Sequence, residues 1–79
     1  MTTAAEFVFV LRTKRKRLVA ETVGLIAARD AARHLLTSGE EKGPLEIWRE
    51  GDDFALERTW LDDGRFRIET SYRARPYLP

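Results

Sequence analysis

The chain has no cysteine and a single histidine in 79 residues. Without thiols there is no disulfide framework and no thiolate metal site, and a dedicated zinc site lacks its usual donors. The five glycines are scattered, so no glycine-rich loop can cradle a phosphate. No apolar run approaches the roughly 20 residues of a membrane span, and no N-terminal stretch has the charged-then-apolar pattern of a signal peptide. These absences point to a cytoplasmic protein with no membrane partner, no cofactor and no metal.

What is present is the composition of one small folded domain. Hydrophobic residues make up 43% and charged residues 34%, a balance that supports a core and argues against disorder. The net charge of +1 hides a strong segregation. Residues 1–36 hold seven Lys or Arg against three Asp or Glu, a block charge of +4. Residues 37–64 hold three against nine, a block charge of −6, and residues 65–79 hold four against one, a block charge of +3. Such blocks predict charge pairing across the fold or a polarised surface.

Only one stretch, Thr22 to Gly39, keeps a helical period. Leu25, Ala28, Ala31, Ala32, Leu35 and Leu36 share one arc, and Arg29, Asp30, Arg33, His34 and Thr37 fall opposite. Ile26 breaks the pattern on the polar side. Thr22 is the expected N-cap and Gly39 the expected C′ residue in the left-handed conformation. The alanine-rich stripe lets the helix lie close to the surface it covers, and a helix this short depends on that surface.

The rest reads as strand and turn. Glu6–Arg12 is a strand apolar on both faces, which marks it as central. Thr13–Arg17 is a turn and Leu18–Val23 a strand that pairs back as a hairpin. After the helix and the breaker loop 40–44 come strands at Leu45–Glu50, Phe54–Leu61 and Arg65–Tyr72, the last two joined by an Asp-Gly hairpin turn. The expected fold is α+β, in the order ββαβββ, with one amphipathic helix packed on a five-stranded antiparallel sheet. Strand order 2-1-5-4-3 or 2-1-3-4-5 keeps every neighbour antiparallel. The face beneath the helix is expected to carry Phe7, Phe9, Leu11, Leu45, Ile47, Phe54, Leu56, Trp60, Phe66 and Ile68. Residues 1–5 read as a frayed terminus, 6–72 as the domain and 73–79 as a proline-containing tail.

Catalytic chemistry has little to build on. His34 is the single histidine and lies on the polar helix face, where it reads as a solvated helix-end residue; a ligand or general base needs partners at defined distances. Asp52-Asp53 and Asp62-Asp63 fall in hairpin turns, where Asp is frequent for conformational reasons, and the spacing of a calcium loop is absent. Ser38 and Ser71 stand in no motif that makes a nucleophile. The expectation is a protein that is not an enzyme.

Two features suggest binding. Arg12, Lys14, Arg15, Lys16 and Arg17 put five cations at one hairpin tip, able to grip phosphates; a solvated or protein-facing basic turn is the alternative. On the sheet face away from the helix, Val8, Val10 and Trp48 form an apolar group with the character of a protein-contact anchor, for a partner or for a homodimer. Cover by the tail, through Tyr77 and Leu78, is the intramolecular alternative.

The order ββαβββ, with Glu46-Ile47-Trp48-Arg49 after a helix–glycine loop, resembles short proteobacterial and phage-encoded proteins. Some of these are anti-CRISPR inhibitors, which occupy nucleic-acid-binding surfaces on CRISPR effector complexes. The resemblance spans most of the chain as architecture and four residues as sequence. It implies an inhibitor or adaptor acting by protein–protein contact. The alternatives are nucleic-acid binding through the basic hairpin and a homodimeric component of a larger assembly.

Overall fold

A computed structural model describes residues 7–70. The expectations for the frayed N-terminus, Ser71, Tyr72, and the tail with Tyr77 and Leu78 lie outside the described residues. The elements are β1 (Val8–Thr13), β2 (Leu18–Val23), α1 (Leu25–Thr37), β3 (Leu45–Arg49), β4 (Glu57–Asp62) and β5 (Arg65–Glu69). They form one antiparallel sheet in the order β2-β1-β3-β4-β5, with the helix on one face. The fold is α+β, and of the two expected strand orders the chain adopts 2-1-3-4-5.

The helix forms where the 3.6-residue period places it. Ala28, Ala32 and Leu36 are buried, with Leu25, Ala31 and Leu35 packed at their margins. Ile26 is left 76% exposed. The start differs from expectation. Thr22 stays in β2, and Gly24 is the N-cap residue, with no side-chain cap. Its φ of 91° and ψ of 147° lie in a region that is essentially glycine-only. That geometry lets the chain leave β2 and turn straight over the sheet, and the Gly24 N–H donates to the Phe7 carbonyl at 2.9 Å. The end is as expected: Gly39 has φ 82°, and the Gly39 N–H donates to the Leu36 carbonyl.

The core beneath the helix is Phe9 and Leu11 from β1 with Leu45 and Ile47 from β3. Leu56 and Phe66 pack against its edge. Strand β4 corrects the expected inside–outside assignment. Leu45 pairs with Thr59 and Ile47 with Glu57, so Thr59 and Glu57 face the helix, while Arg58 and Trp60 face away. The regular ladder begins only at Glu57, and both Leu56 and Glu57 lie on the helix side, so the alternation restarts there. A one-residue slip of this kind flips every following side chain. The inward polar groups are satisfied: the Thr59 hydroxyl donates to the Leu45 carbonyl at 3.2 Å, and Glu57 receives Arg29 from the helix.

Candidate functional site

The tip of the β1–β2 hairpin is a type I turn followed by a one-residue bulge. The Lys16 N–H donates to the Thr13 carbonyl at 2.8 Å and the Thr13 N–H to the Arg17 carbonyl at 2.9 Å. The bulge position demands a left-handed backbone, where glycine is usual. Lys16 occupies it with φ 71°. From there its Nζ donates to both carboxylate oxygens of Glu46, at 2.9 and 2.8 Å. Glu46 sits on the central strand β3 and is 1% exposed. The same carboxylate accepts the Trp48 indole N–H at 3.1 Å.

The five cations of the tip therefore have different fates. Lys16 is committed to Glu46. Arg17 donates to both oxygens of Glu41, at 3.1 Å each. Arg12 lies over the Trp48 ring, with its guanidinium carbon 5.2 Å from the ring centre and its Nε buried without a hydrogen-bond partner. Lys14 and Arg15 are exposed and have no ion pair among the described residues. Beside them Thr13, Arg17, Glu41, Gly43 and Pro44 line a shallow depression open to solvent. Of the five cations, Lys14, Arg15 and Arg17 are exposed, and Arg17 among them is paired.

The face away from the helix places Val10 directly opposite Trp48 across the β1–β3 ladder. The grouping of these two residues follows the expectation, but the expected exposure does not. Trp48 is 3% exposed and Val10 is 6% exposed, clustered with Ala55. Val8 is half-buried. Arg12 and Lys16 both stack on the Trp48 ring, Lys16 at 5.8 Å. Trp48 is therefore a packed element of the sheet's second face, not an open anchor.

Farther along that face, Arg58 lies 4.5 Å from the Trp60 ring centre, and Arg58 Nε meets Glu69 at 3.3 Å. Arg67 stands opposite Trp60 across the β4–β5 ladder and reaches Asp62 at 3.7 Å. Sequence reasoning missed this cation–aromatic array because it assigned Trp60 to the core. The alternation of Arg65, Arg67 and Glu69 along β5 was the available signal.

On the helix side, Arg29 forms a paired contact with the buried carboxylate of Glu57, its Nε at 2.8 Å and its second nitrogen also on the carboxylate. The hydrogen bond to Glu57, opposed by partial burial, raises the Arg29 guanidinium above the usual arginine range. His34 is 74% exposed along its side chain and 4.0 Å from Glu40. Asp52 meets Arg49 at 3.0 Å, and Asp63 occupies the tight β4–β5 turn with φ 54°. Among the described residues no group of three or more His, Cys, Asp or Glu side chains is placed to hold a metal ion. In the same residues no helix is long and apolar enough to cross a membrane.

No protein-family model, curated protein or solved structure matches the chain.

Proposed function

We propose that the protein is a non-enzymatic binding domain that acts through protein–protein contact, with the β1–β2 tip as its contact element and an acidic surface as its target. One observation carries this reading. Among the described residues, Lys14 and Arg15 are the exposed residues without an ion pair in a turn whose neighbours Lys16 and Arg17 are held by Glu46 and Glu41. Ordering long cationic side chains on a mobile loop costs entropy on binding, and a turn fixed on both sides lowers that cost. Two cations are also a modest charge. They suit carboxylates on a partner surface better than the continuous phosphate line of a duplex, where neutralising more phosphates drives affinity. An accessory or inhibitory protein works by such contact without chemistry of its own.

The test is a titration followed by backbone amide resonances. A polyglutamate peptide and a generic duplex DNA are added separately over a series of salt concentrations. The proposal expects shifts confined to residues 13–17 with the acidic peptide, abolished by the Lys14→Glu, Arg15→Glu double variant. Binding to DNA with a steep salt slope that Arg15→Glu removes would instead assign the tip to nucleic acid. No shift with either ligand at low salt would remove the tip as a contact element.

A further inference from the structure

Strand β5 closes one side of the sheet, and among the described residues no strand pairs with its outer edge. Asp62 and Arg65 flank the two-residue turn at Asp63-Gly64. In a hairpin of that kind, residues 65, 67 and 69 point their backbone groups at β4, and 66 and 68 point theirs at the open edge. Alongside that edge, on the helix side, runs a groove between α1 and β5 lined by Ile26, Arg29, Asp30, Arg33, Phe66 and Ile68. Ile26 on its rim is 76% exposed. Arg29 and Arg33 in this groove are already paired, with Glu57 and Asp30 respectively, so its walls carry little net charge and its floor is apolar.

The edge is complementary to itself. Set two copies of β5 antiparallel about a twofold axis through Ile68. Ile68 then meets its own copy on the helix face, while on the opposite face Arg67 meets Glu69 twice. No like charges stand opposite one another in this register. The residues brought together as a hydrogen-bonding pair, 68 with 68, are among those whose backbone groups face outward. The two grooves lie side by side across the axis, which covers Ile26. The other edge, β2, is less regular. Its ladder with β1 shifts register at Leu11/Arg12, a distortion that discourages edge pairing, and a twofold through Glu21 would oppose two carboxylates.

We propose that β5 pairs with β5 of a second copy of this chain, joining two sheets into one across a twofold axis. The interface is short, so the association is weak and depends on concentration. It is independent of the hairpin tip, whose variants leave it unchanged.

Sedimentation velocity of the full chain over a wide concentration series tests it. Wild type is expected to move from monomer to dimer. Arg67→Glu sets Glu against Glu69 and abolishes the dimer; Glu69→Arg does the same; the double swap restores it. Ile26→Asp, at a site that contributes nothing to the monomer core, also shifts the midpoint to higher concentration, so the proposal remains testable even if a strand variant fails to fold. A wild type that stays monomeric at the highest concentration overturns the proposal. So does a dimer that survives Arg67→Glu or Ile26→Asp, or a folded double swap that stays monomeric.

Discussion

Lys16 grips both oxygens of the buried Glu46 carboxylate from a left-handed backbone position thirty residues away in sequence. A glycine would relax the turn, but it would remove the cation that meets both oxygens of the carboxylate on the central strand. Lys16→Met should therefore lower stability by about 2–4 kcal/mol, since removing one partner leaves a buried charge less compensated. Lys16→Gly should cost less than Lys16→Met by roughly the strain of a non-glycine left-handed residue, about 1 kcal/mol. Urea unfolding of the two variants reads the difference, and equal losses would show that the backbone conformation carries no strain.

The Arg29–Glu57 pair ties the helix to β4. Arg29→Met should destabilise the fold by about 1–3 kcal/mol, a figure kept below the range for fully buried pairs because the Arg29 side chain is about a third exposed to screening solvent. Replacing both residues by Met should recover most of that loss. The sign of the pH dependence follows from the raised Arg29 titration. Its stabilisation is fully present below the ordinary arginine range and is lost only as pH rises beyond it. Thermal melts between neutral pH and pH 10 or so should show no transition assignable to Arg29.

Trp48 is a packing residue. Trp48→Ala should cost about 3–5 kcal/mol, the range for truncating a buried aromatic. The loss would appear in the melting temperature before any binding assay could be read. A stable Trp48→Ala variant would mean that the second sheet face tolerates a void where Val10 and Ala55 now meet the indole.

The helix stripe offers a contrast. Ala32→Leu inserts bulk at a fully buried position facing the core and should cost about 1–3 kcal/mol by overpacking. Ile26→Ala should change stability by less than about 0.5 kcal/mol, because the side chain is mostly in water. Chemical denaturation of both variants gives the comparison.

Gly24→Ala asks whether the sharp departure from β2 needs glycine. At φ 91°, ψ 147° an added Cβ should cost about 1–3 kcal/mol. Native-state amide exchange should show the first helical turn opening before the rest, since no side chain caps it.

The parts of the fold legible in the sequence are those governed by local periodicity and turn chemistry. Leu25, Ala28, Ala32 and Leu36 announce the helix face, Gly39 its end, and Asp63-Gly64 the β4–β5 turn. The character of β4 was not legible. A reading that sends apolar residues inward places Trp60 under the helix, whereas here Glu57 and Thr59 face inward because Arg29 and the Leu45 carbonyl satisfy them. Those partners come from other elements, and spacing along the chain does not reveal them. The same holds for the candidate site. The five cations at the tip are obvious in the sequence, but their division into Lys14 and Arg15 on one hand and Arg12, Lys16 and Arg17 on the other depends on Glu41, Glu46 and Trp48. These arrive only after the helix has folded back.

Strand β1 has its second neighbour, β3, on the far side of the helix in the chain, so Val10 and Trp48 meet across a long intervening segment. The molecule is in effect a hairpin plus helix and a three-stranded meander, joined along the β1–β3 seam and by helix contacts such as Arg29–Glu57. Contacts near in sequence assemble quickly, and distant pairings wait on loop closure. The seam therefore sets the pace of folding, and a chain cut in the loop at Gly43 should yield two fragments that find each other again along it.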